Sequence, residues 1–200
     1  MQGHLPRLLF TLALAIGLLA SATTSASGAV AVEQASAVGP ATARQALAVT
    51  DCPPPPPLNA PRVNQESAML CLVNEARARR GLPPLHASAP LNGSAVEKGG
   101  DLIGCNEFSH TACGREFSFW IRETGYMSPA CWRVGENLAW GVDKEGTVAS
   151  IFSAWMHSPA HRENILGDFE EVGIDLRVAR LGGLSGVHVW VQHFGSHCGS

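Results

Sequence analysis

Apolar residues first settle into a regular period at Met69, Leu72, Val73 and Ala76, the i, i+3, i+4, i+7 spacing of one buried helical face, which predicts a helix over residues 66–80. Gly81 supplies its stop and Pro83 follows. A second helix is expected from about Ser88, with Pro90 in its first turn and Leu91, Ala95 and Leu102 sharing a face. A third, over residues 115–124, carries the stripe Phe117, Trp120, Ile121 and Thr124 and ends at Gly125. The fourth begins at Thr147, lines up Val148, Ile151, Phe152, Trp155 and Met156, and is expected to end ahead of Pro159.

The period then changes to two. Val172, Ile174, Leu176 and Val178 alternate with Gly173, Asp175 and Arg177, as a half-buried strand requires, and a second alternating strand spans residues 187–194. The glycines at 182, 183 and 186 predict a flexible connector, hence an antiparallel hairpin with a long loop. Helices followed by strands in one small domain indicate an α+β layered fold.

The first fifty residues have a different pattern. An apolar run from Leu8 to Ala20 follows Arg7, and small residues continue through Ala29, the signature of a secretory signal peptide over residues 1–29. Cleavage after Ala22 or Ala29 suits the small residues there, with Ala29 preferred. The run is too short to span a bilayer permanently. The first cysteine is Cys52, too far from the run for bacterial lipidation, so no lipid anchor is expected. Residues 30–62 read as an Ala/Ser/Pro-rich linker stiffened by the proline run at 53–57, and residues 63–200 as one domain.

The chain carries 14 Lys+Arg against 17 Asp+Glu, net −3, and loses one further positive charge if Arg7 leaves with the leader. No basic footprint for nucleic acid or anionic membrane is present. Six cysteines in an exported chain argue for three disulfides. Fifteen pairings are open; Cys52–Cys71 would staple the proline segment to the first helix, and Cys113–Cys131 would close the loop before Gly135. The spacings lack the paired C-x-x-C of a structural zinc site.

Six segments in order carry a resemblance. They are Leu72-Val73-Asn74-Glu75-Ala76-Arg77 with Gly81-Leu82-Pro83-Pro84-Leu85; Phe108-Ser109-His110; Gly135-Glu136-Asn137-Leu138-Ala139-Trp140; the stretch from Ala154-Trp155 through Ser158-Pro159-Ala160-His161-Arg162-Glu163-Asn164 to Leu166; Phe169-Glu170-Glu171-Val172-Gly173; and Trp190-Val191-Gln192-His193-Phe194-Gly195. Together they resemble the bacterial branch of the CAP superfamily of cysteine-rich secretory, antigen 5 and pathogenesis-related 1 proteins. The resemblance implies a three-layer α-β-α sandwich around a central antiparallel sheet, a secreted or cell-envelope location, and a cleft whose histidines and acid would be His110, Glu136 and His161. Ser158 stands where other branches carry a second cleft glutamate, so the two-histidine, two-glutamate set is not carried over. The family has no single agreed activity, so fold and location follow more closely than function.

On their chemistry, two neutral imidazoles and a carboxylate can hold zinc or another divalent metal with a position left for water, although His110, Glu136 and His161 lie 26 and 25 residues apart with no local H-E-x-x-H helix. The alternative is structural hydrogen bonding beneath a cleft. Glu136, between Gly135 and Asn137 with Val134 and Leu138 flanking, is expected to be partly buried and paired with a histidine. His157 and His161 have chelating i, i+4 spacing, but Pro159 argues against one helix. His86, His188, His193 and His197 match no motif and read as surface or packing residues. No G-x-S-x-G elbow occurs, Ser109 beside His110 is poor evidence for a nucleophile, and cysteines tied in disulfides argue against a cysteine protease. The five tryptophans read mostly as core. Asn92-Gly93-Ser94 matches a glycosylation acceptor, and phosphate, dinucleotide and calcium loops are absent. The function expected is non-catalytic binding of an extracellular ligand, a lipid or cell-wall component among them; a metal-dependent hydrolase and a sterol or fatty-acid carrier are the alternatives.

Overall fold

In the computed structural model, which describes residues 51–127 and 131–198, Met69 and Val73 lie fully buried on helix α1 (Arg62–Ala78). The helix starts earlier than its apolar stripe because Pro61 stands at the N-cap with its carbonyl already accepting from Asn64 and Gln65, while Gln65 Nε2 donates to the carbonyls of Leu58 (3.0 Å) and Ala60 (2.9 Å). It ends as the sequence predicts: Gly81 takes a left-handed φ of 69°, and the Leu82 amide reaches back to Arg77 O.

The remaining elements are β1 (His86–Ala87), α2 (Ala89–Gly104), α3 (Phe119–Glu123), β2 (Trp132–Gly141), α4 (Val148–His157), α5 (Pro159–Leu166), β3 (Glu171–Leu181) and β4 (Leu184–His197). They form one four-stranded sheet in the order β1-β3-β4-β2, antiparallel except for the short parallel β1–β3 pairing. Alternation along the strands sends side chains to two cores. Val172, Ile174, Leu176, Trp190 and Phe194 face α1, α4 and α5. Val187, Val189, Val191 and Leu138 face the other way with Ala95 and Leu102 of α2, beside a smaller cluster of Leu91, Ile121 and Tyr126. This is the three-layer sandwich. Gly173 lets α2 lie directly on β3: a Cβ there would sit 2.1 Å from the carbonyl carbon of Leu91.

Three local expectations are corrected, and one helix is added. The hairpin joining β3 to β4 has a tight turn, since Leu181 pairs with Leu184 and Gly182 and Gly183 both take positive φ, as a type I′ turn demands. The fourth helix ends ahead of Pro159 as expected, and Pro159 itself opens a further helix, α5, because Ser158 is extended (φ −90°, ψ 119°) and proline is well placed at a helix's first position. The third helix is only Phe119–Glu123, with a short 3₁₀ turn at Ala112–Gly114 before it. Cys113 pairs with Cys105, not with Cys131; the register Trp132↔His197 brings Cys131 opposite Cys198, and those two bond with Cα atoms 5.2 Å apart. Cys52–Cys71 forms as expected, and no free cysteine remains among the described residues. The expected leader and most of the linker lie outside the described residues. No described helix is long and apolar enough to cross a membrane.

A carboxylate held by two imidazoles

Strand β2 sets the site. Its odd and even residues face opposite layers, so Glu136 and Leu138 point toward α2 while Asn137 points toward α5. Directly across the ladder from Glu136 is His193 of β4. His193 Nε2 lies 2.9 Å from Glu136 Oε2, and His110 Nδ1 lies 2.6 Å from Oε1, so each carboxylate oxygen has its own imidazole. Both Glu136 and His193 are buried, whereas His110 faces solvent. Burial pushes the Glu136 carboxyl up, but the hydrogen bonds from His110 and His193 and the nearby His193 and Lys98 charges outweigh it and hold the group below the usual glutamate value. An ionised carboxylate only accepts, so both ring N–H groups donate to it.

The chain of hydrogen bonds continues inward. His193 Nδ1 is 2.7 Å from Ser94 Oγ, whose single proton goes to Leu91 O. His193 therefore bridges Ser94 and Glu136, one ring nitrogen to each. Ser94, His193 and Glu136 thus line up as a serine–histidine–carboxylate series, but Ser94 is fully buried on α2 with no approach for a substrate.

His110 is carried by the loop that Cys105–Cys113 closes, and the buried Lys98 fixes the loop by donating from Nζ to His110 O at 2.7 Å. Burial lowers the Lys98 pKa, an effect opposed by Glu136, Asp101 and Glu107. His161 comes from the first turn of α5, and its Nδ1 pairs with Ser158 Oγ at 2.8 Å. Ser158, in the position where a second acid could have stood, is therefore the residue that orients His161. Burial, and then the charge of His110, lower the His161 pKa, so the two imidazoles are electrostatic neighbours. His161 makes no hydrogen bond to Glu136; its carbonyl accepts from Asn137 Nδ2, and Asn164 Nδ2 donates to both Glu136 O and Asn137 Oδ1. These amides lock α5 against β2 and so place His161 relative to the carboxylate.

A model of the cysteine-rich secretory protein (CAP) family matches residues 70–194. The chain belongs to the CAP family. This CAP protein is 30% identical over 130 residues to the uncharacterized protein YkwD of Bacillus subtilis, an alignment covering 64% of the chain and 46% of YkwD, so the chain spans less than half of that relative's length. In fold it is similar to an outer surface protein of Borrelia burgdorferi (TM-score 0.54, 21% identity, 66% of this chain and 91% of that one). It is likewise similar to an extracellular SCP-domain protein of Bacillus anthracis (TM-score 0.55, 20% identity, 66% and 40%).

Within this CAP domain, His110 and His161 each anchor Nδ1 on a protein oxygen and leave Nε2 for a ligand. That suits an incoming divalent cation, with Glu136 behind His110 as the acid that fixes its tautomer. Glu136 has both oxygens occupied, and among the described residues no three His, Cys, Asp or Glu side chains form a ready metal-binding group.

His193 is the residue that the sequence reading left among packing histidines. The pairing Glu136↔His193 reveals it, a signal available only once the register of β2 on β4 is known. His157 lies on α4 and bonds Ser153 O, apart from His161 on α5. His188 and His197 pair with backbone carbonyls, and Ser109 pairs with Thr111. Asn92 lies in α2 with Oδ1 accepting from Ile174 N, and Ser94 of the same tripeptide is buried, so the folded domain does not offer that tripeptide for glycosylation. Of the tryptophans, only Trp155 and Trp190 are core; Trp132 and Trp140 are 40% and 45% exposed.

Proposed function

We propose that this CAP protein is an exported binding protein that captures a ligand outside the cell or at the envelope through the cleft of His110, Glu136 and His161, without a catalytic cycle of its own. The observation that carries the reading is the double commitment of Glu136, buried and accepting from His110 at 2.6 Å and from His193 at 2.9 Å. A general base or a metal-ligating carboxylate needs a lone pair aimed at the reactant; this carboxylate directs both oxygens to imidazoles and acts as a positioning residue. A divalent cation, zinc foremost, is the ligand class suited to the two outward Nε2 atoms, and when bound it would supply a Lewis-acidic anchor for a polar ligand. The apolar leader, the three disulfides and a fold relative described as extracellular support export. A carrier reading has one specific support, a groove of ≈ 660 Å³ whose lining includes Leu58, Leu176 and Val178.

Zinc titration of the wild type on either side of about pH 6.5, the ordinary histidine value, tests the proposal. Affinity is expected to fall on the acid side, since a protonated imidazole cannot ligate. His161→Ala should weaken binding further at every pH, and Glu136→Gln by about 10- to 100-fold, the usual effect of losing an orienting carboxylate. Affinity indifferent to pH and to His161→Ala would overturn it, and ester or peptide turnover lost on chelation would replace it with the hydrolase.

A further inference from the structure

The first turn of helix α1 is weakly held by its own residues. No side chain caps it, no acid stands in it, and Arg62 puts a positive charge at the positive end of the helix dipole. What holds the turn down comes from strand β3 and from the next turn of the helix. Arg62 Nη1 donates to Asp175 Oδ1 at 2.9 Å and its Nε lies 3.4 Å from Glu66 Oε1, so both partners of the guanidinium are carboxylates. Glu66 Oε1 in turn accepts from the Leu176 amide at 3.0 Å, on the edge of β3 beyond the two residues that β1 covers. Residues 57–60, just before the helix, are tied to its first turn by the two bonds from Gln65 Nε2, and to the sheet by a long contact from His188 Nε2 to Leu58 O at 3.4 Å. Between this segment and the sheet runs the groove of ≈ 660 Å³, with Leu58, Ala60, Arg62 and Gln65 on one side and Leu176 and Val178 on the other. Arg62 also walls a second cavity of ≈ 300 Å³, together with Leu70 and Ile174.

Two arginines reach Asp175, and they are anchored differently. Arg177 Nε donates to Asp175 Oδ2, and its Nη2 holds Val96 O of α2 at 2.6 Å, a partner that does not titrate. Arg62, with 55% of its side chain in solvent, has only the two acids among the described residues. Asp175 is fully buried, and Gly99 of α2 packs so closely on it that a Cβ there would lie 2.4 Å from Oδ2. The charges facing the two acids are therefore Arg62 from α1 and Arg177 from β3; α2 contributes Gly99 and the Val96 carbonyl, and β4 contributes Val191 opposite Asp175 and His188 against Leu58. Burial, more than any neighbouring charge, raises the Asp175 and Glu66 carboxyls above their ordinary values. A carboxyl raised in the folded state takes up its proton before the unfolded chain would, so this protonation favours the folded domain as pH falls. Acid therefore neutralises both groups above the ordinary range of about 3.9–4.3 without unfolding the chain through them. We infer that residues 57–66 form an acid-released strap: neutralising Asp175 and Glu66 frees Arg62, lifts the strap from β3 and joins the two cavities, while the sheet and the other layers stay folded. Closing the strap leaves Gln65 Oε1 buried with no hydrogen-bond partner among the described residues, a cost that opening removes. The Cys52–Cys71 bond limits how far the strap can travel. The strap sits at the β3 edge of the sheet and the His110, Glu136 and His161 cleft is built on β2 at the other side, so the device does not depend on the cleft.

Amide hydrogen exchange of the full chain, read residue by residue by NMR between about pH 7.5 and about pH 4 and expressed as protection factors, tests it. The Leu176 amide should lose protection about tenfold on the acid side, the equivalent of one charge-assisted hydrogen bond. The Ile174 amide on the same edge donates to Asn92 Oδ1 of α2 at 3.0 Å, outside the strap, and should keep its protection, as should the amides of β4. Arg62→Gln, a change at an exposed side chain that leaves the core intact, should show the low Leu176 value already at neutral pH and no further fall in acid. Asp175→Asn, which mimics the neutral acid, should do the same. Leu176 protection that stays level in the wild type overturns the strap, and so does a fall of the same size in Arg62→Gln. A loss shared by Ile174 and β4 also overturns it, since that is acid unfolding of the whole domain.

Discussion

Two buried charges in this domain are satisfied in opposite ways. Arg77 of α1, 1% exposed, donates to four backbone carbonyls: Pro83 through Nε at 2.8 Å, Ile165 and Gly167 through Nη1 at 2.9 and 2.8 Å, and Phe169 through Nη2 at 3.0 Å. Burial lowers its pKa and Asp168 opposes the shift, yet a guanidinium stays charged throughout the working range. None of its partners titrates, so the clasp joining α1 to the end of α5 and the start of β3 is indifferent to pH. Glu136 is as deeply placed but depends on two imidazoles, one of which faces solvent. A charge clasped by backbone is structural; a charge clasped by ionisable side chains can sense what arrives at its exposed partner. That contrast singles out Glu136, not Arg77, as the centre of the candidate site.

The sharpest test of the contrast removes Arg77. Arg77→Met should destabilise the domain by about 3–5 kcal/mol in urea unfolding, since it strands buried carbonyls, and the loss should be the same at pH 5 and pH 8. Glu136→Gln should cost less, about 1–3 kcal/mol, because the amide still accepts one of the two ring N–H groups. Its loss should depend on pH. The folded carboxyl lies below its unfolded value of about 4.3, so the wild-type contribution is present above that pH and disappears as the pH falls through the folded value. The gap between wild type and variant should close on that acid limb; a gap that persists would show that Glu136, like Arg77, acts as a fixed strut. The smallest effect concerns His161. By NMR its ring should titrate below the ordinary histidine value, and His110→Asn should move it upward by removing a neighbouring positive charge, while burial still keeps it low.

The sequence made α1 and α4 legible because each buries one face and shows its period there, and the β3–β4 hairpin legible because large apolar residues alternate with small or polar ones even where both faces are buried. Strand β2 stayed hidden: at its centre the chain places Glu136 on one face and Asn137 on the other, both buried polar residues satisfied from different layers, so no apolar alternation appears. His193 was obscured for the converse reason, since residues 187–195 of β4 are buried on both faces and a lone histidine among them looks like packing. The end of α4 at Ser158 was visible through Pro159, but the same proline concealed that a new helix starts on it. Family resemblance named His110, Glu136 and His161; only the ladder register could supply the fourth member of the chain. The exposure of Trp140 was unreadable, because it depends on what does not cover the ring.

The Cys52–Cys71 bond also settles how the domain would bear tension. Residues 53–70 are enclosed in a covalent loop, so a pull on the chain from its N-terminal side enters the domain at Cys71, in the interior of α1, and bypasses Arg62 at the helix start. The proline run and the Gln65 contacts to Leu58 and Ala60 are shielded from that load. Reducing this one bond would shift the point of attack to the first turn of α1, where side-chain hydrogen bonds, not a covalent link, must resist it. Under load from that side the domain would then change from one gripped at mid-helix to one that can be peeled from its first turn.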